Sequence, residues 1–72
     1  TMKIFYDKDA DAAYIQLEAT APDGVIEIAE GVNLDTSDDD RIIGIEILNA
    51  SHKISLASLF VYEVDAALAS AA

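Results

Sequence analysis

The sequence predicts a small α+β domain, an antiparallel sheet of hairpins with a C-terminal helix packed on one face. Three observations lead there. Short β-favouring stretches alternate apolar and polar residues as far as Leu48, acidic or Pro-Gly turn sequences separate them, and beyond Asn49 the apolar spacing lengthens to three and four. A hydrophobic content of 53% with a single Pro describes one folded domain over residues 1–72, not a disordered tail.

Lys3-Ile4-Phe5-Tyr6 favours strand. The run from Ala13 to Glu18 alternates, with Ile15 and Leu17 on one face and Tyr14, Gln16 and Glu18 on the other. Between them, Asp7-Lys8-Asp9-Ala10-Asp11 is rich in carboxylates that close turns by accepting backbone N–H bonds. Ala21-Pro22-Asp23-Gly24 is the clearest break, because Pro presets φ and Gly accepts the positive φ of a turn. A new strand begins at Val25, and Gly31 reads as a bulge or bend before Val32-Asn33-Leu34-Asp35 resumes it. Ser37-Asp38-Asp39-Asp40 then reverses the chain into the strongest strand, Ile42 to Leu48, with Ile43, Ile45 and Ile47 on one face and Gly44 and Glu46 on the other. Asp7, Asp11, Ile15 and Glu18 recur at the same spacing as Asp35, Asp39, Ile43 and Glu46, as two similar strand-turn-strand units would.

Leu56, Leu59, Phe60, Val64, Ala67 and Leu68 follow the i, i+3, i+4 spacing of one helical face, and the Ala-rich end favours helix. A helix over about 55–70, capped by Ser55, is expected. A strand through Phe60-Val61-Tyr62-Glu63-Val64 is the competing reading, since that stretch is aromatic and β-branched.

Fourteen acidic residues against four basic ones leave a net charge of −10, which repels the phosphate backbone and excludes nucleic acid and anionic membrane surfaces as partners. The absence of cysteine removes disulfides, thiolate zinc sites and a cysteine nucleophile. No apolar run approaches the roughly 18 residues of a membrane span, no secretory pattern opens the chain, and a cytoplasmic protein is expected. A domain this small buries only about 60% of its unfolded surface, so self-association, with a dimer favoured, is expected to complete it. One helix on one face would leave the other face open, with Phe5 or Tyr6 and Ile42 or Leu48 on it depending on register.

Candidate chemistry is sparse. Asp35, Ser37, Asp39 and Glu46 stand at ligand positions 1, 3, 5 and 12 of a calcium-binding loop, but Asp40 replaces its Gly and strands flank it where the loop needs helices. Solvated turns, and no metal site, are expected. His52 is the only imidazole and lies in the polar connection Asn49-Ala50-Ser51-His52-Lys53, with no second group positioned for acid–base work. No phosphate loop or nucleophile motif occurs, so no catalytic residue and no cofactor is assigned. The five aromatics read as core or interface anchors, because base-stacking platforms come with basic grooves.

Met2-Lys3-Ile4 with Tyr6-Asp7, then Ala10-Asp11-Ala12 and Tyr14-Ile15, Gly31-Val32 with Leu34-Asp35, and Gly44-Ile45-Glu46-Ile47-Leu48 with Ala50-Ser51 form a recognisable set. From about Met2 to Lys53 the chain resembles a widespread family of short bacterial proteins of unknown function. The block Met-Lys-Ile-x-Tyr-Asp-x-x-Ala-Asp-Ala-x-Tyr-Ile is the most specific part of that likeness. The family usually has Gly where Asp40 stands, and the segment after Ile54 departs from its pattern. The resemblance implies a small α+β domain with no assigned activity, whose genes often lie beside another small gene, as in toxin–antitoxin-like pairs. A non-enzymatic protein-interaction domain is therefore expected, a homo-oligomer that also suits a small basic protein. The alternative is an enzyme or ligand-binding protein whose pocket forms between subunits.

Overall fold

A computed structural model describes all 72 residues. Five strands, β1 (Lys3–Asp7), β2 (Ala12–Gln16), β3 (Gly24–Ala29), β4 (Val32–Thr36) and β5 (Ile42–Leu48), form one antiparallel sheet in the order β1-β2-β5-β4-β3. After them come α1 (Ala50–Lys53), a 3-10 helix (Leu56–Phe60) and α2 (Ala66–Ala71). The α+β class with an antiparallel sheet is as expected. Strands β3, β4 and β5 form a meander, and the crossing segment 17–23 carries the chain from β2 to β3 so that β5 closes beside β2. Leu17 and Glu18 both donate their N–H to the Ile43 carbonyl, which extends the β2–β5 seam past the ladder.

The acidic turns behave as their side chains dictate. Asp7 Oδ1 accepts the N–H groups of Asp9 and Ala10 at 3.0 and 3.1 Å, closing the β1–β2 turn. In the β4–β5 turn Asp40 takes φ 61°, the left-handed geometry that Asp tolerates better than most residues with a side chain. Gly31 is not a bulge. It sits at φ 71° in the tight turn between β3 and β4, while the register slips between Glu27 and Ala29.

The expected helix over 55–70 is broken into pieces. Ile54 closes α1 in extended geometry (φ −135°, ψ 158°), and Ser55 makes no capping bond. Beyond the 3-10 helix the chain is again extended at Val61, where β-branched and aromatic side chains lose rotamer freedom against a preceding helical turn. Helix resumes only where Asp65 caps it, accepting the Ala67 N–H at 2.8 Å. No helix is long and apolar enough to cross a membrane.

Paired residues in neighbouring antiparallel strands point to the same side, so the register sorts the two faces. Ile26, Leu34, Ile45, Ile15 and Ile4 form one row across the whole sheet, and Val32, Ile47, Ala13 and Tyr6 form the next. The opposite face carries Glu27, Asn33, Glu46, Tyr14 and Phe5, then Val25, Asp35, Gly44, Gln16 and Lys3. The face opposite the helical segment is open, with Phe5 and Leu48 exposed on it among mostly polar residues, and the apolar face itself is only half covered. Residues 50–60 form a strap over it: Ala50 is fully buried with Ala13 and Ile47, Ile54 and Leu56 pack against them, and Leu59 and Phe60 border a hollow with Ile4 and Tyr6. Ile26 on β3 stays 54% exposed.

On the polar face, Gly44 is buried because the Tyr14 ring lies across it, and a Cβ at that position collides with the ring and its hydroxyl. Gly44→Ala is expected to cost about 1–3 kcal/mol in chemical denaturation, since displacing the ring outweighs the gain in unfolded-state entropy. In a Tyr14→Ala background the same substitution should cost nothing further. Equal costs in both backgrounds would contradict the packing described.

Candidate functional site

Two hydrogen-bonded constellations gather the polar residues that the sequence motifs contain. The first is centred on Asp11. Its backbone turns left-handed at φ 50°, which aims the carboxylate at the chain that leaves β5. Oδ1 accepts the Tyr6 hydroxyl at 2.7 Å and the Ser51 N–H at 3.1 Å, Oδ2 accepts the Ser51 hydroxyl at 2.7 Å, and the Asp11 carbonyl accepts the Ala50 N–H at 2.9 Å. This clamp seats α1 so that Ala50 drops onto Ala13, and only small side chains permit that approach. The Ser51 hydrogen bond first, and the Tyr6 bond second, hold the Asp11 carboxyl below the usual carboxylate range. The same Asp11 bond is the main reason the Tyr6 hydroxyl is raised.

The second constellation bridges strands on the polar face. Tyr14 crosses Gly44 from β2 and donates its hydroxyl to Asp35 Oδ2 on β4 at 2.7 Å, and Asn33 Nδ2 donates to Glu46 Oε1 at 3.0 Å. Burial first, then the bond to Asp35, pushes the Tyr14 hydroxyl up to about 12. A phenol held neutral in this way is a hydrogen-bond donor at physiological pH and supplies neither a base nor a nucleophile. Phe5 packs beside it with ring centroids 6.4 Å apart.

The four residues of calcium-loop spacing are distributed between separate jobs. Asp35 accepts from Tyr14 and Glu46 accepts from Asn33 on the sheet, while Ser37 and Asp39 bond to one another in the turn. No three His, Cys, Asp or Glu side chains converge as a metal cluster. His52 is exposed on α1 and its ring makes no hydrogen bond, whereas its neighbour Ser51 closes the clamp. Arg41 pairs with Glu18 across the surface, an exposed ion pair that contributes little.

One hollow, about 500 Å³, lies under the strap and is lined by Ile4, Tyr6, Leu56, Leu59 and Phe60, and a larger one of about 590 Å³ adjoins it between Met2, Ile15 and Tyr62. The one polar atom among the side chains of the first, the Tyr6 hydroxyl, is already committed to Asp11. Small-molecule sites combine apolar walls with a few convergent polar groups that fix orientation, and the hollow under the strap has apolar walls alone.

A family model matches residues 3–51, from the first residue of β1 to the clamp's Ser51. The chain belongs to that family, described as a protein of unknown function (DUF2283). No curated protein and no solved structure matches. The matched stretch contains the sheet, the Asp11 clamp and the Tyr14 bridge, and it ends before the strap's Leu56 and the extended segment beyond. The motif residues of the DUF2283 stretch thus hold structure. Tyr6, Asp7 and Asp11 close the first turn and fasten α1, and Tyr14, Asp35 and Gly44 lock three strands together.

The clamp makes a pH prediction. Because the folded state lowers the Asp11 carboxyl, its stabilisation is fully present above the ordinary carboxylate value of about 3.9 and is lost as pH falls through the lower folded value. Glu18 and Asp39 are lowered as well and share the same acid limb. Asp11→Asn keeps the size and tolerates φ 50°, so it should lower the urea midpoint at neutral pH and flatten its decline below about pH 4. An acid limb as steep as that of the parent protein would show that the carboxylate is not bonded as described.

Proposed function

We propose that this protein is a non-enzymatic protein-interaction domain that associates with itself through the apolar face of its sheet. One observation carries the reading, which is surface area. The isolated chain exposes 5477 Å², against about 4,300 Å² for a compact monomer of its mass. The excess, about 1,200 Å², exceeds the ~800 Å² that each partner contributes to a standard interface. The radius of gyration agrees, at 13.3 Å against about 11 Å for a compact chain of this length.

The excess also has the composition of an interface. Ile26, Ile28, Phe60, Tyr62, Val64 and Leu68 are each more than half exposed, and charge-depleted patches with aromatic residues are what interfaces bury. The absence of polar groups converging on the hollow under the strap favours this reading over an enzyme. For any partner other than itself, a net charge of −10 selects a basic protein, such as the second member of a toxin–antitoxin-like pair.

Association doubles the net charge, so the apolar contact works against repulsion that salt screens. Light scattering behind size exclusion at micromolar concentration and physiological salt should give twice the 7.7 kDa chain mass, with the dimer loosening as salt is removed. Ile26→Asp should return the mass to that of one chain. A mass of 7.7 kDa for the parent protein at both low and physiological salt would overturn the reading.

A further inference from the structure

We propose that residues 61–72 form an exchanged arm, docked by each chain on the open β3–β4 margin of a second copy. The inference rests on the self-association reading and names which parts of the two chains meet. Two apolar surfaces on the molecule are left largely uncovered. One is the arm. Phe60 and Tyr62 border a hollow beside Met2, Ile4 and Ile15 but remain 86% and 80% exposed, and every hydrogen bond of residues 62–72 closes within that stretch, through Asp65, Ala67 and Leu68. The other is the margin of the sheet that the strap does not reach. Ile26 shares its row with the covered Ile45, Ile15 and Ile4 yet is 54% exposed, and Ile28 in the neighbouring irregularity is 56% exposed.

The arm has the right pattern for such a face. Successive side chains of an extended segment point to opposite sides, which sets Tyr62 and Val64 on one side and Glu63 and Asp65 on the other. Val61 at φ −126°, ψ 126° and Asp65 at φ −64°, ψ 140° are both extended, so the segment enters and leaves in the geometry in which an apolar side lies flat on a sheet.

Distance keeps Tyr62 from the chain's own margin. Phe60 sits beside Ile4 on β1, and Ile26 lies at the other end of the same row on β3. Four inter-strand spacings of about 4.8 Å separate them, roughly 19 Å, whereas the two residues from Phe60 to Tyr62 span about 7 Å. Tyr62 reaches its own Ile26 only if the strap lifts off the hydrophobic cluster it covers. Docking on a second copy leaves the strap in place, and when both arms cross, the contact is isologous and closes as a two-fold dimer.

The chain contains no cysteine, so single thiols can be placed at will. I26C chains, enlarged by a tag, are mixed with Y62C chains, oxidised mildly and run on a non-reducing gel, with E27C in place of I26C as the polar-face control. The expected result is a disulfide between I26C and Y62C chains severalfold more abundant than either same-variant product, with little product from E27C. The doubly substituted I26C/Y62C chain should likewise yield covalent dimers. A dimer mass by light scattering combined with random pairing, or with an intramolecular bond in the doubly substituted chain, would overturn the arm exchange while self-association stands. A monomeric mass would overturn both.

Discussion

A single five-stranded sheet has two faces, and this chain has only one short strap with which to cover them. Most of the structure follows from that constraint. The polar face covers itself from within the sheet. Tyr14 spans three strands by lying across Gly44 and bonding to Asp35, and Asn33 pairs with Glu46, so the side chains form a layer that water can also wet. The apolar face has no such recourse. It is roofed only where the strap passes, from β5 over β2 to β1, and the row from Ile4 to Ile26 runs out from beneath that roof at β3.

Asp11 makes the strap possible. A strap of a few apolar residues gains little unless its start is fixed, because ordering each residue costs about 1–2 kcal/mol of backbone entropy. One carboxylate accepting three hydrogen bonds, with the backbone carbonyl accepting a fourth, fixes that start at the turn of the first hairpin. The strap then drops Ala50, Ile54 and Leu56 onto Ala13, Ile45 and Ile47. Beyond Phe60 nothing in the chain performs the corresponding service. The arm therefore leaves its aromatic and aliphatic residues exposed, and these are the surface that the proposed second copy would cover.

The sheet was legible in the sequence because its signals are local. Alternation marked Ala13 to Glu18 and Ile42 to Leu48, the Pro22–Gly24 break marked the start of β3, and the acidic run from Ser37 marked a turn whose Asp40 is left-handed. What stayed hidden depends on residues far apart in the chain. Asp11 and Ser51 meet across 40 positions, and Tyr14 and Asp35 across 21, so no window of a dozen residues shows either pair. The strand order is hidden for the same reason, and with it the side on which Tyr6 lies. The Leu56 to Leu68 spacing misled, since a helical period in apolar residues says nothing of Val61 and Tyr62, whose extended preference breaks the helix. Gly31 reads as a bulge or bend in the sequence because turn and bulge both use a glycine of positive φ. The calcium-like spacing of Asp35, Ser37, Asp39 and Glu46 arose from a turn and a cross-strand layer that share one sequence window.

The central claim is that the apolar margin of the sheet is covered by a second chain in solution. Methyl NMR with a soluble paramagnetic agent reads that cover directly, because relaxation reports how closely the agent approaches each side chain. Ile26, more than half exposed in one chain, should be shielded at concentrations where the dimer forms and become accessible on dilution, while Val25 on the polar face stays accessible throughout. Equal, concentration-independent relaxation of Ile26 and Val25 would contradict the account.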